Sequence, residues 1–283
     1  MSDRRLLAVF AHPDDETFAA GGTLALYARR SADVHVVCAT RGELGEAPPG
    51  WKGFASVGAM REDELRGAAK ILGLAGVHFL GYRDSGMPGS PDNRHPQAFA
   101  AAPPAETARA VARHIRRLRP QVVITFDPIG GYRHPDHIAA HLAAVEAFRW
   151  ASDPAYFPED GDPYSPQKLY FHTFPRGFLR SAVRILPWLG VDPRRFGKNG
   201  DIDLTSMAGM DYPIHAKIDI RPVLDIKQEA SRCHSSQGGG QMAPFQRWFT
   251  RLVGGVETYM RAFPQPPPER IEEDLFSGVD IRR

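Results

Sequence analysis

The chain has 283 residues, with 35 Lys+Arg against 33 Asp+Glu, a formal net charge of +2 and a sequence pI of about 8.6. That balance supplies no basic surface for nucleic acid or an anionic membrane, so neither is expected as a partner. The composition, 42% hydrophobic and 24% charged, is that of a globular protein able to bury a large core without disulfides.

The two cysteines, Cys38 and Cys233, are far apart and in no CxxC pattern, which excludes a disulfide framework and a cysteine zinc site. Cys38 reads as a buried small hydrophobe. Cys233 neighbours His234 but lacks the base-and-orienter pattern of a nucleophile. The run Leu6 to Ala11 is too short for a signal peptide, and no stretch approaches the roughly 20 apolar residues of a membrane span. A cytoplasmic protein is the expectation.

In chain order, Arg5 to Ala11 reads as a buried strand and Thr17 to Arg30 as a helix containing Gly21-Gly22. Asp33 to Thr40 is a valine-rich strand. Arg61 to Leu74 is a helix, Val77 to Tyr82 a strand, and Ala105 to Leu118 a helix ended by Pro120. Gln121 to Asp127 is a strand and His137 to Trp150 a helix. Strands alternating with helices imply parallel pairing through right-handed crossovers. The fold class is therefore α/β: a Rossmann-like, mostly parallel sheet flanked by helices, with a smaller irregular C-terminal part. Residues 1–150 form the catalytic core, and 151–283 complete the sheet and the substrate pocket, the two making one structural unit.

Three long connections, Gly42 to Ala59, Asp84 to Pro104 and Ser152 to Gln167, are expected to ring one face, where binding loops gather. Later, Lys168 to Phe174 reads as a strand. Phe178 to Gly200 reads as a helical insertion. A strand, Ala216 to Ile220, precedes a helix from Arg221 to His234. Gly238-Gly239-Gly240 is a flexible turn, and Phe263 to Arg283 a tail wrapping the surface.

The first strand ends in His12-Pro13-Asp14-Asp15-Glu16. Three carboxylates on one turn repel one another unless a cation or hydrogen-bond donors offset them. A helix N-terminus would account for Asp15 and Glu16, but not for His12 or Pro13. The fourth strand ends in Asp127-Pro128-Ile129-Gly130-Gly131-Tyr132-Arg133-His134-Pro135-Asp136-His137, with His141 one turn on. His134 and His137, three apart, can share a helix face. A His/carboxylate set without cysteine suits Zn2+, with Fe2+ or Mn2+ as alternatives, in an open catalytic site. His95, His114, His172 and His215 lie outside both clusters and read as surface or core. Arg113, Arg116, Arg117 and Arg119 read as a solvated helix face. Glu43 and Glu46 lie on a loop of the presumed active face.

His12-Pro13-Asp14-Asp15-Glu16 together with His134-Pro135-Asp136-His137 resembles the LmbE-like, or PIG-L, family of zinc-dependent N-deacetylases, and within it the thiol-metabolism branch. Arg61-Glu62-Asp63-Glu64-Leu65, Arg83-Asp84-Ser85-Gly86-Met87 and His234-Ser235-Ser236-Gln237 extend the resemblance over most of the chain. The resemblance implies His12, Asp15 and His137 as metal ligands, Asp14 as general base, and a protonated His134 facing the substrate carbonyl. It implies Asp136 as the acid that orients His134, Tyr132 at the mouth of the site, and Arg61 and Asp84 on the sugar hydroxyls. Glu16 is left to the helix N-terminus. Arg133 departs from the pattern, standing where relatives carry glycine or proline; a cation there would favour an anionic substrate group.

The implied activity is hydrolytic removal of the N-acetyl group from a GlcNAc-type amino sugar, giving acetate and a free amine. A thiol S-conjugate amidase with the same mechanism and a non-catalytic sugar-binding protein are the alternatives. The partner is a small-molecule amino-sugar substrate, with homo-oligomerisation left open.

Overall fold

The computed structural model describes residues 3–48, 50–173, 176–195, 203–210, 212–240, 255–266 and 271–281. Five parallel strands come first: β1 (Arg5–Phe10), β2 (Asp33–Thr40), β3 (Gly76–Tyr82), β4 (Val122–Phe126) and β5 (Lys168–Thr173). Two more, β6 (Ala216–Asp219) and β7 (Val256–Phe263), complete one sheet in the order β3-β2-β1-β4-β5-β7-β6. β7 runs antiparallel to both of its neighbours. In β1, Leu6 to Phe10 are all buried, the continuous apolar run of a parallel strand covered on both faces. The α/β reading of the sequence holds.

The helices are α1 (Asp15–Arg29), α2 (Val57–Leu72), α3 (Pro104–Leu118), the single turn α4 (Gly130–Arg133), α5 (Pro135–Trp150), α6 (Arg176–Ile185), α7 (Leu204–Ala208) and α8 (Leu224–Cys233). α2 starts a turn earlier than its apolar spacing suggests, because the Ser56 hydroxyl accepts from the Ala59 N–H at 3.1 Å and caps it. α1 can lie close to the C-terminal part because Gly22 has no side chain; a Cβ there would come 2.5 Å from Ile220.

Strand order reverses between β1, which leads outward to β2 and β3, and β4, which leads the other way to β5. Open α/β sheets bind ligands at the carboxyl ends of strands at such a reversal, and both histidine motifs lie there. The loops 42–59 and 84–104 follow β2 and β3 and stand on that rim. The loop 152–167 does not: it leads into β5, so it lies at the amino ends of the strands, opposite the site. Arg116 holds it there. Far from being solvated, this arginine is buried and donates to the carbonyls of Trp150, Ala151, Asp153, Tyr156 and Phe157.

The tail also differs from a surface wrap. Leu275 and Phe276 are buried, and the Tyr27 hydroxyl donates to Asp274 at 2.7 Å. Gly238 to Gly240 form a packed turn, since a Cβ on Gly239 would collide with the Ser231 carbonyl. Phe174, residues 196–200 of the expected insertion and residues 267–270, 282 and 283 of the tail lie outside the described residues. Among the described residues no helix is long and apolar enough to cross a membrane.

Candidate metal centre

β1 delivers Ala11 to Asp15 into the crevice. The Asp15 carboxylate folds back to accept the N–H groups of Ala11 (3.2 Å) and His12 (2.7 Å), which closes the turn before α1. Asp14 sits at φ 121°, ψ −30°. Non-glycine residues rarely occupy that region, and such backbone costs on the order of 1–3 kcal/mol.

β4 delivers the second motif. Asp127 closes its loop by accepting from the N–H groups of Ile129 (3.0 Å) and Gly131 (2.9 Å). Gly130, at φ 64°, lies where a Cβ would meet His137 Cβ at 2.6 Å. Its carbonyl is 3.1 Å from His137 Nδ1. A carbonyl only accepts, so Nδ1 carries the proton and His137 Nε2 presents its lone pair.

His12 is held in the mirror-image way. Its Nε2 lies 3.0 Å from the Asp136 carboxylate and 3.6 Å from that of Asp84, so Nε2 is the protonated nitrogen. Its Nδ1 lies 3.2 Å from His137 Nε2 and 3.6 Å from an Asp15 oxygen, and the other Asp15 oxygen is 3.3 Å from His137 Nε2. Two ring nitrogens and the two oxygens of one carboxylate therefore face one another in a buried pocket. Lone pairs so placed repel unless a proton or a metal cation stands among them. Ligand atoms about 2.0–2.1 Å from a tetrahedral zinc ion are about 3.3 Å apart, so this donor set fits a metal ion. His134 also lies within reach of His12 and His137, and Asp84 and Asp136 group with His12.

The electrostatics agree. Burial disfavours a charged His12, but Asp84, Asp136 and Asp15 outweigh it, and its pKa is raised well above the ordinary value. The pocket calls for positive charge. His137 and His134 are driven the other way, first by burial and then by His12; His134 falls to about 2.

Every expected site residue except Tyr132 is buried or nearly so, and most converge. Arg61 on α2 reaches the Pro13 carbonyl (2.8 Å), the Asp14 carboxylate (3.1 Å) and the Gly42 carbonyl (2.8 Å). Asp84 accepts from the N–H groups of Leu44 (3.2 Å) and Gly86 (2.8 Å). Both are therefore engaged by the protein itself. The Asp136 carboxylate differs from expectation: it engages His12 and both the N–H and hydroxyl of Ser85. Its link to His134 is its own backbone N–H, which donates to Nδ1 at 3.1 Å. Tyr132 packs on His137 and His134 at centroid distances of 4.9 and 6.0 Å, and on its other side meets a small apolar cluster of Leu179, Leu204, Met207 and Ala208. A small depression open to solvent adjoins this loop, lined by Asp127, Ile129, Gly131, Leu179, Met207, Met210 and Tyr212.

His141 belongs to packing: its Nδ1 donates to the Phe126 carbonyl at 2.9 Å and its ring meets Phe171. Glu43 accepts from the Asp84 N–H at 3.1 Å, and the Glu46 carbonyl accepts from Gln237. Arg133 is exposed at φ 68°, a conformation suited to glycine. Both cysteines are free thiols; burial and nearby carboxylates, Glu64 first, push the Cys233 thiol up, away from nucleophilic use. Sequence reasoning missed Ser85 and Asp127. An acid at a strand end before Pro128 and two glycines was a readable sign of the Asp127 loop.

Residues 7–148 match the family described as "PIG-L: GlcNAc-PI de-N-acetylase". The chain is 41% identical over 289 residues to a 1D-myo-inositol 2-acetamido-2-deoxy-alpha-D-glucopyranoside deacetylase of Geodermatophilus obscurus, covering 98% of each. It is 40% identical over 291 residues to the protein of that description from Streptomyces avermitilis, covering 99% of this chain and 98% of the relative. Its fold is like that of the N,N'-diacetylchitobiose deacetylase from Pyrococcus horikoshii, with a TM-score of 0.62 at 20% identity over 94% of this chain and 88% of the other. Two histidine motifs at a strand-order reversal and relatives that match from end to end lead to one assignment: the chain belongs to the PIG-L, or LmbE-like, family of de-N-acetylases.

Proposed function

We propose that the chain is a metal-dependent N-deacetylase that hydrolyses the acetamide of a GlcNAc-inositol substrate to acetate and a free amino sugar. The observation that carries this reading is the cluster of His12 Nδ1, His137 Nε2 and the Asp15 carboxylate at mutual distances of 3.2 to 3.6 Å, beside the clamped Asp14. The names of the two relatives supply the substrate class.

His12, Asp15 and His137 would hold the ion, and zinc is the ion this donor set suits best. When bound, it lowers the pKa of water and polarises a carbonyl oxygen. Asp14 takes the proton from the attacking water. Burial raises its pKa to about 7, with Arg61 pulling the other way, so the carboxylate is basic enough to accept a proton near neutrality. As the C–N bond breaks, Asp14 returns that proton to the amine nitrogen.

His134 has its Nδ1 occupied as an acceptor from the Asp136 N–H, so a neutral ring carries its proton on Nε2. With a pKa near 2 it stays neutral. A neutral ring so held donates its Nε2 N–H to the developing oxyanion, where the family resemblance implies an imidazolium. Arg61 and Asp136 are positioning groups, Arg61 for Asp14 and Asp136 for His12. Tyr132 stands between the site histidines and the apolar cluster.

The test is amine release from GlcNAc, GlcNAc-malate, GlcNAc-inositol and a thiol S-conjugate by zinc-loaded protein. GlcNAc-inositol is expected to turn over fastest. Preference for the thiol conjugate would replace this substrate assignment with the amidase reading.

A further inference from the structure

The His234-Ser235-Ser236-Gln237 motif and Glu16 have no part in the chemistry above, yet they meet. His234 and Glu16 are both fully buried, and His234 Nε2 lies 2.7 Å from Glu16 Oε1 across 218 residues of chain. The other Glu16 oxygen accepts the backbone N–H of Asp14 at 3.0 Å. Asp14 is the residue held at φ 121°. Thr17 also donates its hydroxyl to Glu16.

The motif is itself anchored. Glu64 accepts the Ser236 N–H at 2.9 Å and the Ser236 hydroxyl at 2.6 Å. Glu64 stands one turn along α2 from Arg61, which grips the Asp14 carboxylate and the Pro13 carbonyl. Asp14 is thus held twice. Arg61 fixes its side chain, and Glu16 fixes its strained backbone. A backbone that costs energy persists only where its surroundings over-determine it. A buried carboxylate, in turn, holds a fixed position only if its own oxygens are satisfied. His234 supplies that satisfaction from the far end of the chain.

We infer that His234 is a positioning residue of the active site, acting through Glu16 to hold the Asp14 backbone in the conformation that aims its carboxylate. This rests on the reading of Asp14 as the general base. Glu16 serves the helix N-terminus as well, since it lies in the first turn of α1 and accepts the N–H of the N-cap residue Asp14; His234 is the partner that reaches it from outside the helix.

Glutamine and asparagine at position 234 separate reach from polarity. The amide of Gln can take the place of Nε2 and donate to Glu16; that of Asn is too short. In the amine-release assay, His234→Gln should stay within about threefold of wild-type kcat, whereas His234→Asn should lose about tenfold or more, with KM within about twofold and full metal content, as for other groups that orient a catalytic residue. In an Asp14→Ala background the asparagine change should cost nothing further, because its effect passes through Asp14. Read without turnover, the Asp14 amide should exchange with deuterium faster in His234→Asn than in His234→Gln.

Equal kcat and equal Asp14 exchange in the two variants would overturn the inference. So would a loss carried by KM or metal content, or the same loss in the Asp14→Ala background. If the asparagine chain does not fold, Glu16→Asp makes the same test, since the shorter carboxylate cannot span Asp14 and His234. An active Asp14→Ala protein would instead overturn the assignment of the base, and leaves the exchange result to decide the clamp.

Discussion

The Asp136 carboxylate lies 3.0 Å from Nε2 of His12, on the side of the ring turned away from the metal cluster. It thereby fixes which His12 nitrogen keeps its lone pair. Asp136→Ala should free that ring and weaken zinc binding by about 10–100-fold, the usual cost of losing a group that orients a metal ligand. Competition against a chelator measures it. Unchanged affinity would show that His12 is oriented by other contacts.

Arg61 sets the pH dependence. Its charge lowers the Asp14 pKa against the raising effect of burial. A general base works when deprotonated, so activity falls on the acid side as Asp14 gains its proton. Bound metal, a further positive charge, keeps that limb at or below about 7. Arg61→Met removes the lowering charge and should move the acid limb of kcat/KM to higher pH. A limb that stays put or moves down would contradict this role.

How much of this was legible in the sequence follows the range of the interactions. His12 to Asp15 and His134 to His137 are each a few residues long and each follow an apolar strand, so local pattern reveals both the motif and its place at a strand end. Alternation of strands and helices implies parallel pairing, but that β1 and β4 are neighbours, bringing the two motifs together, is seen only in the structure. The contacts between distant segments were not legible: Glu16 with His234, Glu64 with Ser236, Asp136 with Ser85. Nothing local distinguishes a buried carboxylate with a partner from an exposed one. Arg116 shows the same limit, since Arg113, Arg117 and Arg119 around it are exposed while it turns inward. β7 escaped because Glu257, Thr258 and Arg261 are polar yet buried, which blurs the alternation that marks a strand.

Glu257 ties that strand to α1. Its carboxylate accepts the N–H groups of Gly22 (2.9 Å) and Thr23 (2.8 Å) and pairs with Lys227 (2.6 Å). Burial pushes its pKa up, but Lys227 and these donors prevail and it lies below the ordinary 4.5. A carboxyl group with a lowered folded pKa stabilises above its unfolded pKa and loses that contribution as pH falls through the folded value. Glu257→Gln should therefore cost about 1–3 kcal/mol at pH 7, with the gap from wild type narrowing below pH 4.5. Urea unfolding across that range reads it; a gap that widens in acid would contradict the assignment.

Arg116 predicts a larger loss. Its guanidinium satisfies carbonyls at the end of α5 and in the loop that follows. Arg116→Met takes the donor from these carbonyls, most of them part-buried, and should destabilise the chain by roughly 3 kcal/mol. Because the loop lies opposite the site, kcat of the folded fraction should be unchanged. A variant of wild-type stability would show that water replaces the arginine.

The most direct measurement is amine and acetate release from GlcNAc-inositol by wild-type and Asp14→Ala protein carrying the same zinc content. Equimolar amine and acetate from the wild type, with kcat lower by at least about 100-fold in the variant, is the predicted result. Equal turnover by the two proteins, or no release by zinc-loaded wild type above the protein-free rate, would contradict it.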